Sequence, residues 1–253
     1  MATPQTTDVV NAPAISALGE TKQVLNERKT LHEWFAQHQG HIVDKWPHYF
    51  DIYERHFAAA RAAATPEKPV VIYEIGVWNG GSMEMWLDYF GSDRCEIYGI
   101  DIDIKCKAME AYSPRIHIVT GDQSDPVFLK RVVDTLPRPD IILDDGGHQM
   151  VQQIVTMQHL FPHLKQGGVF ACEDTHTSYW ASHGGGLKSA TSYIETVKGI
   201  VDSMHSFHCP AVKADYFSQW CAGMHVYDSI VVLDKRLAPK TCPTSVRRGK
   251  IAL

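Results

Sequence analysis

The chain has 253 residues, 44% hydrophobic and 21% charged, with 29 acidic against 24 basic side chains and a formal net charge of −5. That length and balance exclude a collagen-like, low-complexity or wholly disordered chain, and argue against a nucleic-acid binder, which would carry a basic excess. Fourteen histidines in an acidic chain raise the question of a metal or acid–base site.

Residues 1–20, rich in Thr, Ala and Pro, read as disordered. They lack the basic and apolar regions of a secretory leader. No run of 18 apolar residues exists to cross a membrane. The six cysteines make no CxxC pair, which predicts reduced thiols and a cytoplasmic location. Residues 21–66 read as a helical extension that could join a homo-oligomer, with a first helix over Lys29–Gln39. A second opens at Trp46-Pro47, where Pro suits the first turn. Tyr49, Ile52, Tyr53, His56 and Phe57 recur at helical spacing, and Thr65-Pro66 stops the run.

From 67 to 237 the pattern is that of one α/β domain. Strands are predicted at Val70–Ile75, Glu96–Asp101, Ile116–Thr120, Ile141–Asp144 and Val169–Cys172. Helices fall near 82–90, 105–111, 125–136, 150–163 and 190–204. This alternation implies a parallel sheet covered on both faces. Met224–Tyr227 and Ile230–Leu233, joined by Asp228-Ser229, predict an antiparallel hairpin. Residues 238–253 form a basic tail.

Open α/β sheets bind ligands beyond the carboxyl ends of their strands. The first strand ends in Glu74-Ile75-Gly76-Val77-Trp78-Asn79-Gly80-Gly81-Ser82, which is neither GxGxxG nor a P-loop. An acid before the first glycine suits a cofactor with an amino-acid tail. Asp101, ending the second strand, can accept from ribose hydroxyls, while Asp103 reads as a helix cap. Asp122 and Gln123, ending the third, are placed for an adenine edge.

The fourth strand ends in Asp144-Asp145-Gly146-Gly147-His148 and the fifth in Glu173-Asp174-Thr175-His176. Crowded carboxylates repel one another unless a cation joins them. A hard dication with oxygen ligands removes the penalty, so magnesium on Asp145, Glu173 and Asp174 is expected. His148, three residues past Asp145, is the expected general base. Three rivals share these residues or their neighbours. His148, His176 and an acid could form an iron facial triad of an oxygenase. Zinc could be drawn from His205, His208, Cys209, Cys221 and His225. A non-catalytic small-molecule binder is the third. The aromatics Tyr179, Trp180 and Tyr193 and the Gly-rich 183–186 segment suggest a sugar-stacking surface under a lid.

EIGVWNGGSMEMW, YGIDID, GDQSDP, DIILDDGGH and GGVFACEDTHTSYW, in this order, resemble the class I S-adenosylmethionine-dependent methyltransferases, and more narrowly the magnesium-dependent sugar O-methyltransferases of macrolide and rhamnosyl natural products, some of them labelled cephalosporin hydroxylases. KWPHYFDIYERHF resembles the segment before their first strand. The resemblance spans about 45–235. It implies a Rossmann-like, mostly parallel seven-stranded sheet with S-adenosylmethionine bound by Glu74, Gly76, Ser82, Asp101, Asp122, Gln123 and Asp144. It also implies magnesium on Asp145, Glu173 and Asp174, with His148 as base. Gly147 departs from the family's Ser. The implied acceptor is a small molecule, a sugar hydroxyl or a catechol-like diol; no nucleic acid or membrane partner is expected.

Overall fold

A computed structural model describes residues 29–249; residues 1–28 and 250–253, including the expected disordered start, lie outside the described residues. Helix α1 (Leu31–Gln37) is held by a capping box: Thr30 Oγ1 accepts from Glu33 N, and Glu33 Oε2 accepts from Thr30 N. Helix α2 (Pro47–Ala63) starts on its proline and buries Tyr49, Phe50, Ile52, Tyr53 and Phe57. The apolar faces of both helices pack into this chain's own core rather than lying open.

Seven strands follow: β1 (Val70–Ile75), β2 (Cys95–Asp101), β3 (Ile116–Thr120), β4 (Ile141–Asp144), β5 (Val169–Cys172), β6 (Cys221–Val226) and β7 (Val231–Lys235). Their order in the sheet is β3-β2-β1-β4-β5-β7-β6. β7 runs antiparallel to β5 and β6, and the other neighbours are parallel. This is the expected Rossmann-like sheet with its terminal hairpin. Strands β1, β4 and β5 are buried on both faces, so their sequences are apolar runs rather than alternating ones. One face of β1, Val70 and Ile72, packs with Phe57 and Trp86. The other, Tyr73 and Ile75, packs with Leu160 and Phe161.

The connecting helices are α3 (Gly81–Phe90), α4 (Pro126–Thr135), α5 (Met150–His163), α6 (Tyr193–Met204) and a short α7 (Tyr216–Trp220). Several bounds depart from the sequence reading: the first helix is Leu31–Gln37 rather than Lys29–Gln39, β6 is Cys221–Val226 rather than Met224–Tyr227, and β7 is Val231–Lys235 rather than Ile230–Leu233. Residues Ile104–Ala111 wind as a 3-10 helix, capped by Asp103, whose Oδ1 accepts from Lys105 N at 2.9 Å. Helix α6 begins three residues late, at the Ser192 cap. Helix α7 lies outside the expected elements; its five residues are too few for a periodicity signal, and it is set by a capping box between Asp215 and Ser218.

Lys235 of β7 ties the sheet to the end of α5. Its buried ammonium donates to the carbonyls of Pro162 at 2.8 Å, Leu164 at 2.6 Å and Phe161 at 3.2 Å. Those carbonyls belong to a helix terminus and have few other partners. Lys235→Met should therefore lower the unfolding free energy by about 2–3 kcal/mol, since buried acceptors lose a charged donor. Urea titrations would register it as a lower midpoint at constant slope.

Candidate active site

Sheet order reverses between β1 and β4, and a cavity of about 500 Å³ opens beyond their carboxyl ends. Gly76, at φ +90°, lets the two strand ends touch: a Cβ there would lie 2.0 Å from the Asp145 carbonyl oxygen. Asp101 closes the loop from the other side. Its Oδ2 accepts from Val77 N at 2.8 Å and Trp78 N at 3.1 Å, and its Oδ1 from Asp103 N at 2.8 Å. Burial raises its pKa, but these three amides outweigh burial and hold the carboxyl below its ordinary value.

Of the residues expected at a cofactor, Gly76, Asp101, Asp122 and Gln123 line this cavity. Glu74, Ser82 and Asp144 are buried behind it. Glu74 sits on the β1 face that meets α3, where its Oε2 accepts from Trp86 Nε1 at 3.0 Å. Burial pushes its pKa up to about 7, with Lys45 opposing and Asp145 adding. Asp144 Oδ1 accepts from Gln123 Nε2 at 2.9 Å, and burial pushes its carboxyl to about 7 against that bond. Glu74 Oε1 and Asp144 Oδ2 are buried without hydrogen-bond partners. These two acids shape the floor from below.

Across the cavity stand Asp145, His148, Glu173 and Asp174. His148 Nε2 lies 3.4 Å from Asp174 Oδ2 and 3.9 Å from Asp145 Oδ1. One ligand atom each from Asp145, His148 and Asp174 falls within 4.8 Å of the others. Glu173 is engaged elsewhere: Lys45 Nζ donates to its Oε2 at 2.9 Å and its Oε1 at 3.1 Å, and Tyr53 OH also donates to Oε1. The same ammonium donates to Asp145 Oδ2. Tyr49 OH donates to Asp174 Oδ1 at 2.6 Å. Thus the segment entering α2 supplies a donor to each of the three expected ligands.

Burial raises the pKa values of Asp145 and Glu173 despite Lys45, with Asp174 adding to the shift of Asp145 and Asp145 to that of Glu173. Asp145 and Asp174 face one imidazole with Glu173 beside them in the same cavity, which makes an oxygen-rich donor set. A hard dication fits that set. Iron and zinc fit less well. His176 Nδ1 is bonded to Ser229 Oγ at 2.5 Å, its ring stacks on Trp46, and it is absent from the convergent group. Of the residues weighed for zinc, only His225 joins a ligand cluster among the described residues, with His56 and Asp234; Cys221 is buried and His205 bonds Val201 O. The 183–186 segment is pinned by Gly185 N to Trp180 O at 3.0 Å and Gly186 N to Ser178 O at 2.8 Å.

Backbone strain marks the same place. Five non-glycine residues have positive φ among the described residues, and Trp78, His148 and Asp174 line this cavity. Such conformations persist only where surrounding contacts enforce them.

No protein-family model matches the chain. Among curated proteins, L-olivosyl-oleandolide 3-O-methyltransferase of Streptomyces antibioticus is 35% identical over 213 residues, 78% of this chain and 53% of that protein. Demethylmacrocin O-methyltransferase of Streptomyces fradiae is 32% identical over 250 residues, 93% of this chain and 58% of that protein. Among solved structures, the MycE methyltransferase of mycinamycin biosynthesis, in complex with Mg, SAH and mycinamycin VI, matches with TM-score 0.73 and 28% identity, covering 88% of this chain and 59% of that one. The chain has the fold of a class I S-adenosylmethionine-dependent methyltransferase and is similar in sequence to O-methyltransferases. It spans just over half the length of the sugar O-methyltransferases it matches.

Within this site, Lys45 and the hydroxyls of Tyr49 and Tyr53 are not signalled by the local sequence pattern. The tyrosines read as one apolar helical face, which they also are, since their rings are buried. Nothing near Lys45 in the sequence signals its partners, which lie 100 and 128 residues away.

Glu74 gives a pH test. Its folded-state pKa lies above its unfolded value of about 4.3, so its contribution is full at lower pH and is lost as pH rises through about 7. Glu74→Gln keeps an acceptor for Trp86 and removes the titration. The variant should gain up to about 3 kcal/mol on the wild type between pH 4.5 and 7.5, read from urea midpoints in EDTA.

Proposed function

We propose that this domain transfers a methyl group from S-adenosylmethionine to a hydroxyl of a sugar on a glycosylated natural product, in a magnesium-dependent reaction. One observation carries the reading: a single cavity joins a glycine loop at the β1–β4 switch point to the Asp145–His148–Asp174 convergence. The names of two relatives, an L-olivosyl-oleandolide and a rhamnosyl tetracenomycin-C O-methyltransferase, put sugars on their acceptors, and the MycE structure is a complex with Mg, SAH and mycinamycin VI.

Gly76, Asp101, Asp122 and Gln123 would bind the cofactor along the ends of β1 to β3. Asp145, Glu173 and Asp174 would hold the metal. Magnesium supplies Lewis acidity and S-adenosylmethionine an activated methyl group. His148 Nε2 would take the proton of the acceptor hydroxyl and leave its oxygen free to receive the methyl group that S-adenosylmethionine would supply. Asp145 and Asp174 flank the imidazole and orient it. Trp46, half-exposed at the mouth and stacked on His176 with ring centroids 4.9 Å apart, offers a flat face to a sugar ring. Positioning then supplies much of the rate.

Labelled S-adenosylmethionine, a panel of glycosides and diols, and parallel reactions in EDTA test the whole reading. Label transfer to a glycoside, lost in EDTA, is expected; EDTA-insensitive transfer would remove the metal. His148→Ala should reduce kcat by about 10²–10⁴ while leaving the cofactor Kd within about twofold. Trp46→Ala should raise the acceptor KM several-fold with kcat little changed, because stacking acts on ground state and transition state alike.

A further inference from the structure

Lys45 is a buried cation in the middle of the expected metal ligands. Its side chain is 2% exposed, and its ammonium contacts both Asp145 and Glu173. It precedes α2 by two residues, so the helix that anchors it also carries Tyr49 and Tyr53 onto Asp174 and Glu173. A buried lysine with no counter-charge would be expelled, and two buried carboxylates with no cation would be driven apart. Each therefore accounts for the other.

We propose that Lys45 is a positioning residue that acts as a resident counter-ion. It holds Asp145 and Glu173 together when no dication is present, and it competes with the dication for their oxygens. This rests on the magnesium reading above. The consequence has an unusual sign. An ordinary structural residue, when removed, weakens ligand binding. Removing Lys45 takes a positive charge from beside a site for a dication, and at the distances of direct contact that repulsion is large in a poorly solvated pocket. The ammonium thus lowers magnesium affinity while stabilising the metal-free fold.

The test uses magnesium alone, with the full chain and no cofactor. Magnesium Kd is measured by calorimetry, and the melting temperature in EDTA and in saturating magnesium, for wild type, Lys45→Met and Lys45→Arg. Lys45→Met should bind magnesium roughly tenfold or more tightly, melt lower in EDTA, and gain more from magnesium than the wild type does. Lys45→Arg keeps the charge and should not bind more tightly than wild type. Should Lys45→Met be unfolded in EDTA yet fold on adding magnesium, that is the same competition in a stronger form. Equal or weaker binding by Lys45→Met overturns the proposal, as does failure to fold even in saturating magnesium while Lys45→Arg folds. A wild-type chain that binds no magnesium retires the metal reading itself, a different and separable result.

Discussion

Crowded carboxylates are costly, and here the buried Glu74, Asp144 and Glu173 and the partly exposed Asp145 and Asp174 gather at the ends of β1, β4 and β5. The parallel sheet forces the arrangement. Ile75 is in register with Asp144, and Asp144 with Cys172, so residues following these strands must emerge side by side. No rearrangement of loops separates them while the sheet stays intact. The rest of the site answers that repulsion. Lys45 supplies a full charge, the hydroxyls of Tyr49 and Tyr53 supply donors, and Gln123 supplies an amide to Asp144. Glu74 and Asp144 answer it differently, by pKa values raised to about 7 that let them carry a proton.

Strands β1 to β5 and the clusters at their ends were legible because both signals are local. An apolar run stops, and glycines and acids follow at once. The helical extension was legible in the spacing of its aromatics. What the sequence hid was direction. Glu74 follows Tyr73 and precedes Ile75, and strand alternation turns it to the face of Ile72, against Trp86 and away from the cavity. The same alternation turns Asp144 toward Gln123, whose amide also donates to Thr156 Oγ1 of α5. Applied residue by residue, that rule separates acids that line the cavity from those that support it.

Lys45 illustrates a second limit. A lysine ahead of a helix is usually solvated, and only tertiary packing reveals two carboxylates waiting for it. The tyrosines are a milder case. Their ring spacing marks a buried face, but a buried tyrosine needs a partner for its hydroxyl. An apolar face bearing two hydroxyls, opposite a cluster of acids, was a signal that the cluster would be met by helix α2.

This dependence joins the extension to the chemistry. Helix α2 reaches the sheet through Phe57 and Ile52, a purely apolar contact that fixes its distance from β1. The same rigid helix then sets where Lys45, Tyr49 and Tyr53 stand relative to acids on two other strands. Trp46, between Lys45 and the helix, is placed at the cavity mouth by the same constraint. The extension is therefore one wall of the site, and loosening its apolar contacts would change the spacing of Asp145, Glu173 and Asp174 together. Electrostatics selects the residues, but hydrophobic packing some distance away sets their geometry.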